Sequence, residues 1–236
     1  MKRFVLWSTA LAVVLCLAGE WARAADQTIR GKSLLVRNPD TPERRKISGV
    51  AKEEGSANVI VGNPALAGSA GGAILTVAAN GVSPTAQTFG LPQGTSVTGK
   101  QFWRTSGSSG FRYKDAKGEQ GPVRTVLVKK SGSGTFSIKV SIRGKNGPVT
   151  VVPPNPGTDG YLTLELGGGG DRYCVHFGSD GTVINRNATL FKVRNPRLEG
   201  CPGGASTTTS STSSTTTTTL VSSPSPAFLD GPPGST

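Results

Sequence analysis

The stretch GGGGDRYCVHFGSDGT, residues 167–182, sets the only histidine of the chain, His176, two residues from Cys174. A thiol beside an imidazole is the pairing from which a Cys/His hydrolase or transpeptidase makes a thiolate nucleophile, usually with a third group fixing the ring. The same residues also read as plain β structure. Asp180-Gly181 is a strong two-residue turn signal, and a hairpin folded on it sets Phe177 opposite Ile184, His176 opposite Asn185 and Cys174 opposite Asn187. Period-two alternation then sends Tyr173, Val175 and Phe177 to the core, and Cys174 and His176 to the polar face with no obvious carboxylate to orient the imidazole. Neither a third member nor an oxyanion loop is recognisable, so no catalytic residue is assigned.

Other catalytic and ligand templates fail on residue count or spacing. One histidine excludes a multi-histidine zinc site, and two mature cysteines exclude a four-cysteine one. GGGGDR lacks the Lys-Ser/Thr ending and following helix of a phosphate cradle, and SGSSG and SGSGT miss the nucleophile-elbow spacing. NPGTDG, residues 155–160, lacks the acidic ligand series of a calcium loop and reads as a turn. No cofactor is implied.

The best binding candidate is the pair QFWRT and GFRYKD, residues 101–105 and 110–115. Trp103 and Tyr113 are candidate stacking faces for sugar rings or bases, and Arg104, Arg112 and Lys114 are candidate partners for anionic substituents. Ordinary alternation competes with that reading, because a secreted sandwich buries its few large aromatics first.

These residues need a compartment. Lys2 and Arg3, an apolar run from Phe4 to Ala18 and the small-x-small site Ala22-Arg23-Ala24 make residues 1–24 a signal peptide, which takes Cys16 with it. The apolar run is shorter than a bilayer span and no second run follows, so no membrane-spanning segment is expected after signal removal. Export to an oxidising environment makes Cys174 and Cys201 an expected disulfide, closing a loop of about 26 residues for on the order of 3 kcal/mol. Ser206 to Thr219 is Ser or Thr at every position, so 202–236 is expected to be a disordered linker or stalk with almost nothing apolar to bury. The folded region is then 25–201, one large or two small β domains.

The chain carries 26 Lys+Arg against 14 Asp+Glu, a net charge of +12, of which the signal removes only Lys2, Arg3, Arg23 and Glu20. That balance suits anionic polymers, lipopolysaccharide, acidic polysaccharide or another envelope polymer ahead of extracellular nucleic acid. The basic residues are spread along the chain with no single block, which is also how a merely solubilising surface looks.

No stretch of the mature chain shows a sustained helical apolar repeat. TFSIKVSIRG alternates Phe136, Ile138, Val140 and Ile142 with polar residues, and VRTVLVKK precedes it across Ser131-Gly132-Ser133-Gly134, a hairpin pattern. Further short β runs include 34–37, 46–51, 59–61, 74–78, 85–91, 101–104, 162–166, 173–177, 183–185 and 190–194. The expected fold is all-β, an antiparallel β-sandwich or barrel-like domain. VRNP occurs at 36–39 and again at 193–196, as if marking equivalent strands at the two ends of the fold.

Taken in order, GKSLLVRNP, GTFSIKVSIRGKNGPVTVVPPNPGT and GGGGDRYCVHFGSDGT with the later LFKVRNP resemble a β-rich module of exported bacterial proteins that precedes Ser/Thr-rich linkers. The resemblance covers most of residues 31–201. It implies architecture and export, and brings no activity or site residues with it. The function expected from the sequence is a secreted or surface-exposed, non-enzymatic binding or adhesion module, with a purely structural domain of a larger exported protein as the alternative and an extracellular hydrolase using Cys174 and His176 third.

Overall fold

A computed structural model describes residues 25–200 apart from positions 69, 108, 179 and 199. The signal segment 1–24 with Cys16, the tail 202–236 and Cys201 lie outside the described residues. The described chain is an all-β sandwich. One sheet has five strands in the order β1 (Asp26–Thr28), β11 (Arg172–Phe177), β10 (Gly157–Leu166), β4 (Ala73–Gly81) and β5 (Thr85–Leu91). The other has eight: β12 (Thr182–Arg186), β13 (Leu190–Arg194), β2 (Gly31–Arg37), β3 (Lys46–Glu53), β9 (Phe136–Arg143), β8 (Val123–Lys130), β7 (Gly110–Lys114) and β6 (Trp103–Thr105). Every pairing is antiparallel except β1 with β11.

Alternation decides what lies between the sheets. Leu34 and Val36, Ile47, Phe136, Ile138, Val140 and Ile142 face Leu75, Val77, Leu162, Leu164, Tyr173, Val175 and Phe177 across one continuous core. Fully burying each such side chain contributes about 1.5–3 kcal/mol, so the registers that bring them inward dominate the choice of pairing. The hairpin VRTVLVKK–TFSIKVSIR forms as β8 and β9, joined through residues 131–135. The two VRNP segments close neighbouring antiparallel strands, β2 and β13, with Leu34 opposite Val193.

The hairpin expected at Asp180-Gly181 does not form. The Gly181 N–H does donate to the Gly178 carbonyl at 3.3 Å, but the turn carries the chain from one sheet to the other: β11 pairs with β10 and β1, and β12 pairs with β13. The reason is burial. Tyr173, Val175 and Phe177 need the deep position beside β10, whereas β12 is half exposed and closes on β13 through a turn in which Asn187 takes a φ of 46°. The stretch 59–61, expected as a strand, is a tethered loop. Gln27 accepts the Val59 N–H at 2.9 Å and the Tyr173 hydroxyl accepts the Val61 N–H at 2.7 Å. β1, which no period-two run announces, is held on β11 by a bidentate Arg172–Asp26 pair at 2.6 and 2.7 Å. Among the described residues, no helix is long and apolar enough to cross a membrane.

Burial lifts the phenols of Tyr113 and Tyr173 above their ordinary range, Tyr173 to about 12. An acid whose pKa is raised on folding stabilises the fold while the unfolded form is still protonated, and loses that contribution as pH climbs from the unfolded value near 10 through the folded one. Urea midpoints should therefore hold steady up to about pH 9 and fall between about pH 10 and 12, and Tyr173→Phe should make that fall shallower. A midpoint indifferent to pH across that window contradicts the burial of both rings.

Candidate functional site

The Cys/His pair is the first candidate to place. Cys174 and His176 point to the outer face of the five-stranded sheet, as the alternation of β11 requires. Cys174 is fully buried there, and a sulfur with no surface has no access to a substrate. His176 is not without a carboxylate. Its Nε2 lies 3.5 Å from Oδ1 of Asp159 on β10, and the same carboxylate accepts from Asn80 Nδ2 at 2.6 Å and Thr158 Oγ1 at 2.7 Å. Pairing of β10 with β11 brings Asp159 in, which is why the local sequence around His176 did not show it. The Asp159 network links β4, β10 and β11 and serves as cross-strand fastening. Among the described residues, no group of three or more His, Cys, Asp or Glu side chains could hold a metal ion.

The aromatic-cationic candidate divides by face. Trp103 and Tyr113 are 1% exposed each, so neither offers a ring to a ligand, and the stacking role expected of them is overturned. Their rings lie 5.4 Å apart, and the Trp103 indole N–H donates to the Leu91 carbonyl of β5 at 3.1 Å, tying the edge of one sheet to the other. Arg104, Arg112 and Lys114 are exposed on the opposite face of the same strands and line a cleft of about 520 Å³ with Lys100 and Lys117. Two carboxylates reach this cleft, and both are already engaged. Asp115 accepts the backbone N–H groups of Gly118, Glu119 and Gln120 at 2.7–3.0 Å, and Glu119 accepts the Val97 N–H at 2.8 Å.

Those three cations belong to a much larger feature. The strands of the eight-stranded sheet contain fifteen lysines and arginines and one carboxylate, Glu53, whereas the five-stranded sheet has Arg172 against Asp26, Asp159 and Glu165. Glu53 is opposite Phe136 on the inward side and is taken up by Ser56 Oγ and Asn58 Nδ2. The outward side of the large sheet is thus a cationic surface without a carboxylate on its strands. Registers sharpen it: Arg104 is directly opposite Arg112, and Arg37, Lys46 and Arg143 form one row across β2, β3 and β9. The fold collects the outward basic residues of these strands onto one face, whereas Lys130 shares the inward parity of Val126 and Val128 and donates to the Asn58 carbonyl.

No known protein family, curated protein or solved structure matches the chain.

Like charges directly opposite on adjacent strands cost a fraction of a kcal/mol each. Replacing Arg112 with glutamate should therefore stabilise the fold by about 0.5 kcal/mol at low ionic strength, with the gain fading as salt screens the pair. Urea denaturation at two salt concentrations measures it. Equal or lower stability of Arg112→Glu at low salt would mean that Arg104 and Arg112 do not repel.

Proposed function

We propose that this protein is an exported module that binds anionic extracellular polymers, acidic polysaccharide foremost, through the outward face of its eight-stranded sheet. The observation that carries the reading is the segregation of charge: the strands of the large sheet present basic residues and no carboxylate on their outward side, and apart from Lys52, which pairs with Glu54, they include directly opposed cations with no acidic partner. The aromatic side chains of the eight-stranded sheet turn to its inward side, so recognition by the outward face rests on ionic and hydrogen-bonding contacts with no stacking platform. The signal-like residues 1–24 support export, and the Ser/Thr-rich segment supports a spacer role for the C-terminal part. A purely structural domain has no need of such a face.

Isothermal titration of the mature chain against a polyuronate and a neutral glucan, repeated across a salt series, tests the reading. Binding should be confined to the acidic polymer and should weaken linearly on a log–log salt plot. The combined change Arg104→Gln, Arg112→Gln and Lys114→Gln should make that slope shallower by about one per cation removed, if each releases roughly one counterion. Equal affinity for both polymers, or a slope untouched by the triple change, refutes it.

The proposal also includes the Cys174–Cys201 bridge as the staple at the end of the folded region. Denatured mature protein should titrate no thiol before reduction and two after it. Two thiols in the unreduced chain would remove the staple.

A further inference from the structure

At one end of the cationic face the surface is concave. A cleft of about 730 Å³ opens between the short 3-10 turn Pro42–Arg44, which joins β2 to β3, and the turn Gly144–Asn146 that follows β9. The row Arg37, Lys46 and Arg143 enters it from the sheet, strand by strand at a spacing of roughly 4.8 Å. Arg44 and Lys145 come from the two turns, Arg124 from β8 beside β9, and Lys117 from the loop after β7. The only carboxylate in the lining is Glu43, and among the described residues none of these cations makes an ion pair.

The frame of the cleft is rigid although its contents are unpaired. Arg45 spends its Nε–H on Asn38 Oδ1 and an Nη1–H on the Val149 carbonyl, both at 2.7 Å, which pins the first turn to the segment after β9. The two turns then join through the Gly144 N–H and the Arg45 carbonyl at 2.9 Å. Gly144 lies so close to Pro42 that a Cβ would run into the Pro42 carbonyl oxygen, so the turns have no slack. Asp115, next in sequence to the lining residue Ala116, is not itself part of the lining and turns its oxygens onto three backbone N–H groups.

We infer that this cleft is a seat for phosphomonoester groups carried by the bound polymer, a step that rests on the polyanion reading of the face. The choice of phosphate follows from valence. A carboxylate has one charge and two oxygens and is satisfied by a single bidentate arginine. A sulfate ester likewise carries one charge. A phosphomonoester carries about −1.5 to −2 and three strong acceptor oxygens, which matches several guanidinium and ammonium groups converging without counter-ions.

Calorimetric titration of the full mature chain with inorganic pyrophosphate and, at matched ionic strength, with sulfate tests the inference. Pyrophosphate should bind at least about tenfold more tightly than sulfate, and Arg124→Gln with Arg143→Gln, both exposed positions, should remove about tenfold of that affinity. Arg197→Gln, an exposed cation outside both clefts, should leave pyrophosphate binding in place. If the cleft variant melts early, Lys117→Gln with Lys145→Gln carries the same test from the loops. Pyrophosphate no tighter than sulfate, or an affinity unmoved by either cleft variant, overturns the phosphate seat. The two failures separate cleanly: acidic polymer binding without a pyrophosphate preference removes only the phosphate seat, while a pyrophosphate preference without polymer binding removes the reading of the whole face.

Discussion

Burial of one side of the eight-stranded sheet is the constraint on which the rest of this molecule depends. Strand residues alternate, and the inward positions of β2, β3, β8, β9 and β13 are filled by Leu34, Val36, Ile47, Val126, Val128, Ile138, Val140, Phe191 and Val193. Every lysine or arginine that alternates with them is then bound to the other face, whatever its neighbours there. The repulsion this creates, between Arg104 and Arg112 or along Arg37, Lys46 and Arg143, is worth about 0.2–1 kcal/mol per opposed pair, against about 1.5–3 kcal/mol for each large side chain held in the core. The core wins, and a face of unbalanced positive charge is the result.

Polar ties then fix how the two sheets meet, and they draw on aromatic, amide and carboxylate side chains. The Trp103 indole bonds to the Leu91 carbonyl across the sandwich. Asn185 on β12 exchanges two hydrogen bonds with the backbone of Gly157 at the start of β10, at 2.9 and 3.0 Å. Asp115, buried at 2% exposure, satisfies three backbone donors of its own loop. Each tie removes a carboxylate, an amide or an aromatic ring from the surface, and what remains outward on the large sheet is chiefly cation and hydroxyl. The small sheet is different in kind, with Asp159 and Glu165 on β10 and an Asp26–Arg172 pair at its edge.

Much of the fold was legible. The limits of β5, β8 and β13 coincide with the runs read from hydrophobic patterning, because β-branched residues between Gly, Pro and Ser turns leave little freedom of boundary. What patterning could not supply was partnership. Asp180-Gly181 is a good turn signal, yet a turn can reverse a strand within its sheet or carry it to the facing one, and only the competition for the place beside β10 separates the two. The same gap hid Asp159 from His176 and hid β1 altogether, since a three-residue strand held by a long-range ion pair has no period to detect. For the candidate site, Arg104, Arg112 and Lys114 line one cleft, but Trp103 and Tyr113, named beside them, stand on the opposite side of the same strands.

Composition and local period therefore determined that this is a basic, β-built chain with export-like and Ser/Thr-rich ends, because net charge, turn residues and alternation are properties of neighbours in sequence. Whether the positive charge is a dispersed surface or one face was decided only by tertiary structure. Lys46 and Arg143 are nearly a hundred residues apart and become direct neighbours solely through the register of β3 on β9. That register is set by Ile47 and Ile142 turning inward together, so the burial of apolar side chains, which has no charge in it, is what places the charges.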